Sequence, residues 1–387
     1  MNTEGVNLIR GTKYAESGFL HGAISRLFFH VEDVHKNLAM LSFSSISHYN
    51  SFMAEFVSSF ITGFEKVVER DLAERLPKLK ILNLFDGLVH YKYDADSRDL
   101  EKISYFNNTF FVLKTMKGRA LNFAQLVNSV CSGKNYFLIN KGSFRIRFIN
   151  ENQFAKVDKN LTRRAEEYVL KNSKLVLDRL SPTNEVWFSI RREGFAFCGE
   201  LISKREFTEK NLNKGELRPE IAYLICAFAA ISREDTVLEP FCGFGSIPVQ
   251  LAKHFACKEL YVSDIDGEKA ALVAAKKFAA APNVHVSKAD AFVLDGVADK
   301  SIDTVVTDPP WGLWENIEDI GAFYAKMFVS FKRVLKPQGK VVVLTARKEE
   351  FEKAVQDAGF KIQDSLHTLV NGKKAGLYSC IPACAEQ

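Results

Sequence analysis

Val237-Leu-Glu-Pro-Phe-Cys-Gly-Phe-Gly-Ser246 runs from a short apolar segment, through a carboxylate and a turn with two glycines, into a helical pattern. Glycines let a backbone approach a ligand closely. A loop of this kind at the carboxyl end of a first strand lies where open α/β sheets bind ligands. The spacing is not GxGxxG, and the Lys of a phosphate loop is missing, which disfavours dinucleotides and nucleoside triphosphates. Around this loop the pattern predicts alternating strands and helices. The expected order is Thr236–Glu239, a helix to Phe255, Glu259–Ser263, a helix to Ala280, His285–Ser287, Ile302–Thr307, a helix to Leu335, and Lys340–Leu344. Such an order implies βαβ units and a largely parallel sheet. Lys336-Pro-Gln-Gly339 reads as a turn. Ser365–Val370 and Gly376–Ile381 read as a closing hairpin joined near Asn371-Gly372.

Each of the first four predicted strands ends at or near an acidic group. Tyr261-Val-Ser-Asp-Ile-Asp266 places Asp264 where a carboxylate can accept from both hydroxyls of a ribose, with Asp266 as the second choice and a helix cap as the plain alternative. Lys288-Ala-Asp-Ala-Phe292 places Asp290 where it can accept from an adenine amino group. The sharpest signal is Thr307-Asp-Pro-Pro-Trp-Gly312. Its prolines fix the backbone, so the Asp308 carboxylate and the Pro309 carbonyl can accept from one exocyclic amine. The lone pair of such an amine is delocalised into its ring. Two fixed acceptors favour the pyramidal form and aim the lone pair at an electrophile. Trp311 is expected to stack on the base.

Taken together, Leu217-Arg-Pro-Glu-Ile-Ala222, Glu239-Pro-Phe-Cys-Gly-Phe-Gly-Ser-Ile-Pro248 and Thr307–Gly312 resemble the THUMP-domain guanine-N2 methyltransferases of tRNA, which use S-adenosylmethionine (SAM). The resemblance covers about residues 50–382. It implies an α/β fold: a C-terminal Rossmann-like methyltransferase domain with a mostly parallel seven-stranded sheet, preceded by small α+β ferredoxin-like and THUMP domains. It implies that Asp308, Pro309, Pro310 and Trp311 handle the target amine. It also implies that Arg218, Pro219, Glu239, Phe241, Gly243, Gly245, Asp264, Ile265, Asp290, Ala291 and Asp308 form the SAM site. Glu239 stands where the family usually has Asp, Trp311 where Tyr or Phe is commoner, and Phe244 where a small residue is usual. Phe244 is expected to crowd the methionine end of SAM. Direct in-line displacement of the activated methyl group requires no metal.

The upstream sequence fits the same picture. Phe52–Phe60, a helix ending before Pro77, Lys80–Phe85, Leu88–Tyr93, a short helix near Asp99 and Phe110–Lys114 give the order β-α-β-β-α-β, the ferredoxin-like motif. Asp86-Gly87 is a strong hairpin signal. A second unit, about 121–210, contains Phe144-Arg-Ile-Arg-Phe148 and an amphipathic helix over Leu161–Leu170. Its cations Arg145, Arg147, Lys159, Arg163 and Arg164 are the candidate RNA contacts, because A-form RNA is read through shape and single-stranded ends. The expected division is 1–48 an extension of unplaced role, 49–120 ferredoxin-like, 121–210 THUMP-like and 211–387 catalytic. The weak lean within the family is to guanosine 6 of the acceptor stem.

Composition agrees with a folded nucleic-acid enzyme and demands nothing more. The 387 residues carry 52 Lys+Arg against 47 Asp+Glu, a net charge of +5, so any basic surface must be local. The seven Cys include no CxxC, HExxH is absent, and Cys380 and Cys384 have no second ligand pair, so no metal site and a reduced, cytoplasmic setting are expected. The start lacks a secretory pattern, and the longest strongly apolar stretch, near Ala222–Ile231, is too short to span a bilayer. Three other readings remain open: an adenine-N6 methyltransferase of DNA or RNA, a guanine-N2 methyltransferase of rRNA or another structured RNA, and a non-catalytic RNA-binding protein with a vestigial SAM fold.

Overall fold

The computed structural model describes residues 54–94, 98–205, 212–313 and 317–383. The expected N-terminal extension lies outside the described residues, as do Phe52 and Cys384. The first unit contains β1 (Ala54–Ser59), α1 (Glu65–Arg75), β2 (Lys80–Phe85), β3 (Leu88–Tyr93), α2 (Arg98–Glu101) and β4 (Asn108–Lys117). The next stretch supplies α3 (Phe123–Cys131), β5 (Ser143–Asn150), β6 (Gln153–Phe154), α4 (Lys159–Asn172), β7 (Val176–Leu177), β8 (Asn184–Arg191) and β9 (Phe195–Lys204). Helix α3 starts where Asn122 and Gln125 form a reciprocal capping box, with bonds of 2.9 and 3.0 Å.

These strands form one nine-stranded sheet, ordered β2-β3-β1-β4-β9-β8-β5-β6 with β7 beside β5. The order β2-β3-β1-β4 is that of a ferredoxin-like unit, and the β4–β9 pairing carries the sheet on past residue 120. Strand β2 lies four strand spacings from β9, about 19 Å in a flat sheet. Yet the Phe85 and Phe195 rings are 5.1 Å apart. The sheet therefore curls strongly, and its inner face buries Val57, Leu88, Phe110, Phe195 and Phe197. Helices α3 and α4 cover the opposite face, over Phe144, Phe148, Val186 and Phe188.

The remaining chain forms α5 (Pro219–Ala229), β10 (Thr236–Glu239), α6 (Ser246–His254), β11 (Glu259–Asp264), α7 (Gly267–Ala274), a 3-10 turn (Lys277–Ala280), β12 (Val284–Lys288) and β13 (Ile302–Thr307). It continues through α8 (Ile320–Val334), β14 (Leu335–Thr345), α9 (Lys348–Asp357), β15 (Phe360–Val370) and β16 (Lys373–Pro382). The seven strands are ordered β12-β11-β10-β13-β14-β16-β15. All pairings from β12 to β14 are parallel, and β16 runs antiparallel to both its neighbours. This is the mostly parallel, Rossmann-like sheet expected from the sequence, and its order reverses at β10.

Two local expectations need correction. Lys336–Gly339 is not a free turn but part of β14. The β13–β14 register jumps from Ile302↔Leu335 to Thr304↔Lys340, so the proline-containing segment bulges within the strand instead of preceding it. Helix α9 was not foreseen.

The two sheets share a core. Helix α5 is buried from Glu220 to Ala229, which explains the all-apolar stretch read from the sequence. It packs between the parallel sheet and α1, within one hydrophobic cluster that includes Val68, Leu72, Ile221, Ile225, Val237 and Val342. Across this junction the Tyr223 hydroxyl donates to Asp71 at 2.8 Å, and Arg75 pairs with the same carboxylate at 3.0 Å. The Arg70 guanidinium donates to the Ala227 carbonyl. Thr368 in the last hairpin donates to the Thr62 carbonyl at 2.8 Å. Tyr223→Phe should cost about 1–3 kcal/mol in urea unfolding, because it strips a donor from a buried carboxylate. A loss below about 0.5 kcal/mol would show that Arg75 alone satisfies Asp71.

Candidate active site

A cleft of about 830 Å³ opens along the carboxyl ends of β10, β11, β12 and β13. Its position at the reversal of strand order is where parallel sheets bind ligands, and its volume lies in the usual range of ~300–1,000 Å³. The glycine loop forms its floor. Gly243 and Gly245 both have left-handed backbones, with φ of +51° and +85°. The loop is sewn to β11: Cys242 N–H donates to the Ser263 carbonyl at 2.9 Å, and Gly243 N–H donates to Asp264 Oδ2 at 2.8 Å. A side chain at Gly245 would meet Val273 at 2.9 Å, so that glycine serves helix packing and not the cleft surface.

Phe241, Gly243, Asp264, Ile265, Asp290 and Ala291 all line the cleft. Asp264 is nearly buried, and its other oxygen accepts from Asp266 N–H at 2.9 Å. Asp266 caps α7, the plain alternative raised from the sequence, accepting from Glu268 and Lys269 N–H. Asp290 accepts from Phe292 N–H at 2.8 Å, which turns the chain sharply after β12. Exposed Ile265 and half-buried Phe241, Phe292 and Phe323 add apolar surface.

Glu239 sits behind the loop, 1% exposed, in a recess of about 60 Å³ that it shares with Phe244, Ser246 and Asp308. Its Oε1 accepts from Phe241 N–H at 3.1 Å and from the Thr307 hydroxyl at 2.7 Å, while its Oε2 has no protein partner. Burial pushes its carboxyl well above the usual range, reinforced by the neighbouring Asp308 and Asp264 carboxylates and opposed by those two hydrogen bonds. Phe244 lies under the Lys269 ammonium, 5.8 Å from ring centroid to nitrogen.

Asp308, Pro309, Pro310 and Trp311 line the cleft at the end of β13. Trp311, expected from the sequence to stack on a base, is 5% exposed. Its indole N–H is shared between Asp308 Oδ1 at 2.9 Å and the Leu344 carbonyl at 3.2 Å. Arg347 secures the same loop by donating to the Trp311 carbonyl at 3.1 Å. Trp311 therefore ties the Asp308 carboxylate to the neighbouring strand.

Other sequence-derived residues lie elsewhere. Arg218 and Pro219 are not among the lining residues. Arg218 pairs with buried Glu220 at 3.2 Å, alongside Arg205, and Pro219 begins α5. Their neighbours Leu212–Leu217 form the cleft wall instead, with Val370 and Asn371 from the last hairpin. Leu217 and Asn371 fall in stretches marked in the sequence, but nothing local puts them at the cleft, because each is brought in by chain far from the strand ends. The cationic set divides between two surfaces. Arg145 and Arg147 lie on the inner sheet face and pair with Glu185. Lys159, Arg163 and Arg164 belong to α4, where Arg163 pairs with Glu167 at 3.6 Å and Arg164 donates to Asn128 at 2.6 Å.

The fold and cleft have known counterparts. Residues 205–374 match the family model described as RMKL-like, methyltransferase domain. Over 223 residues the chain is 26% identical to a tRNA (guanine(6)-N2)-methyltransferase of Thermus thermophilus, covering 55% of this chain and 65% of that relative, just under two thirds of its length. The fold is shared with TrmN from Thermus thermophilus at a TM-score of 0.68 and 19% identity, covering 85% of this chain and 99% of that one. It is also shared with SMU.472, solved in complex with SAH, at a TM-score of 0.64 and 13% identity, covering 87% and 100%. Residues 205–374 thus match a methyltransferase-domain model, and their fold is the Rossmann-like fold of these neighbours. Among the described residues no helix is long and apolar enough to cross a membrane.

The donor set fits SAM. Carboxylates at three strand ends and the orphaned Glu239 oxygen suit a cationic ligand with many N–H and O–H donors, and the apolar lining suits its purine. Glu239 also makes a pH effect on stability. Its carboxyl is raised in the folded state, so its contribution is complete below the unfolded value of about 4.5 and is lost as pH rises towards the folded value. Glu239→Gln should remove a downward slope of up to about 1 kcal/mol per pH unit above pH 5 in urea unfolding. An unchanged slope would mean that Glu239 ionises normally.

Proposed function

We propose that this protein transfers a methyl group from SAM to the exocyclic N2 amine of a guanosine in tRNA, with a weak preference for position 6 of the acceptor stem. The observation that carries the reading is the convergence of Asp308, Pro309 and Pro310 with Asp264 and Asp290 in one cleft. The family model supports methyl transfer, and the Thermus relative supports guanine N2 and tRNA. In this reading Asp264 holds the ribose, Asp290 faces the adenine, and Glu239 with Phe244 bounds the methionine end.

SAM supplies an activated methyl group. The protein's task is positioning: Asp308 and the Pro309 carbonyl hold the amine so that its lone pair faces the methyl carbon. The N–C bond forms as the S–C bond breaks, S-adenosylhomocysteine leaves, and the extra ammonium proton is lost afterwards. Trp311 fixes the carboxylate rotamer through its N–H. The target nucleotide must leave its stack to reach the cleft, at a cost of roughly a few kcal/mol. The segment 49–210 serves as the RNA-gripping part, divided near residue 120 into ferredoxin-like and THUMP-like units that share the curled sheet.

Asp308→Ala should abolish methyl transfer from labelled SAM to tRNA while SAM affinity stays within about threefold. Trp311→Phe, which keeps the buried ring and removes only the N–H, should lower turnover about 10- to 100-fold. Digestion of the product should yield N2-methylguanosine. N6-methyladenine would instead support the adenine-N6 reading, to which the same acceptor pair is suited. Loss of SAM binding in Asp308→Ala would reassign that residue to the cofactor.

A further inference from the structure

The connector between the two sheets starts and finishes on one buried carboxylate. Glu220 is fully buried, in the first turn of α5. Arg205 and Arg218 both pair with it, Arg218 at 3.2 Å. The two guanidiniums come from opposite ends of the connector. Arg205 follows β9; its N–H donates to the Asn107 carbonyl at 2.8 Å, and Asn107 N–H donates to the Ser59 carbonyl at 2.7 Å. The backbone of Arg205 is thus fixed to the upstream sheet. Arg218 stands just before α5, which Pro219 opens. Glu220 therefore lies at the positive end of the helix dipole, where a carboxylate is stabilised.

The chain just before Arg218 is a wall of the cleft. Leu212–Leu217 borders the cleft, and Gly215, Glu216 and Leu217 also border the recess that holds Glu239 and Phe244. This wall is a turn tied to itself. Glu216 Oε2 accepts from Asn213 N–H at 3.0 Å and from Asn213 Nδ2 at 2.8 Å, and Glu216 N–H donates back to the Asn213 carbonyl at 3.0 Å. Those bonds fix the shape of the turn but not its place over the cleft. Its place is set by its ends. Buried Leu217 joins the core with Ile221, and the next residue, Arg218, is held by Glu220. Burying three charges is costly, and a cluster of this kind is weak evidence for stability. What it secures is geometry: the end of β9 and the start of α5 meet at one point.

Resting on the SAM reading above, we propose that Glu220 is a positioning residue for the cofactor: by holding Arg205 and Arg218 together, it sets the wall Leu212–Leu217 at the width that SAM requires. Glu220 touches neither SAM nor the reacting atoms. Arg218 then serves the cofactor from outside the cleft, through this carboxylate. Because Arg205 belongs to the upstream sheet, the width of the cleft also depends on where that sheet stands.

The test uses the full chain, calorimetric titration with SAM, and methyl transfer to tRNA. Glu220→Gln and Arg205→Gln should each weaken SAM binding about 5- to 20-fold. The double variant should bind no more weakly than Glu220→Gln, because both changes break one linkage. Turnover at saturating SAM should stay within about twofold, since the acceptor side is untouched. Glu220→Asp, which keeps the charge, should recover most of the affinity. Unfolding midpoints are measured alongside. A midpoint that falls while the folded variants bind SAM at wild-type affinity would show a role in stability alone and overturn the proposal. Losses that add in the double variant would overturn it too. If Glu220→Gln does not fold, Arg205→Gln, whose side chain is partly exposed, decides by the same two readings, affinity and turnover. A wild type that binds no SAM sinks the functional reading as well, whereas tight binding by the wild type and both variants sinks this inference alone.

Discussion

One shared proton donor organises the reacting end of the cleft. The Trp311 indole N–H bridges the Asp308 carboxylate and the Leu344 carbonyl, and so ties the loop after β13 to the neighbouring strand β14. Burying an indole without a partner for its N–H is unfavourable. The bond to Asp308 satisfies that donor and sets the direction of the carboxylate at once. The two prolines remove backbone freedom between them. A second pin does the same for the cofactor side, where the Asp264 carboxylate accepts from Gly243 and Asp266 N–H before any ligand arrives. Both acidic groups are preorganised, which is what positioning catalysis requires.

The catalytic domain was legible because its signals are local. Glu239, Asp264 and Asp308 each stand within three positions of a glycine or proline and Asp290 two residues past its strand, so all four could be located by reading one strand at a time. What could not be read was how deeply each group would sit. The burial of Trp311 and its bond to the Leu344 carbonyl depend on how β13 lies on β14, which no local pattern shows. Arg218, expected at the ligand, pairs with Glu220, whose burial follows from α5 lying between two modules. The cleft walls at Leu212–Leu217 and Asn371 are likewise products of tertiary packing.

Upstream, the periodicity foretold the β-α-β-β-α-β order but not the continuous sheet. Pairing of β4 with β9 and the curl that brings Phe85 onto Phe195 depend on residues about a hundred positions apart. That curl has a consequence for the cations picked out by composition. Arg145 and Arg147 alternate with Phe144, Ile146 and Phe148, so they face the inner side with Trp187, while Arg163 and Arg164 stay with α4 on the outer side. The bond from Tyr223 to Asp71 joins the first helix of this unit to α5 beside the parallel sheet.

In the function proposed above, the exocyclic amine of one guanosine is the methyl acceptor, held by Asp308 and Pro309. The most direct test is a tRNA transcript in which the mapped target guanosine is replaced by inosine, which differs only in lacking the N2 amine. With labelled SAM and the wild-type protein, the guanosine transcript should gain one or more methyl groups at that nucleotide and the inosine transcript none, while both bind equally well. Label appearing on the inosine transcript at the same nucleotide would place the reaction on another atom and contradict the account.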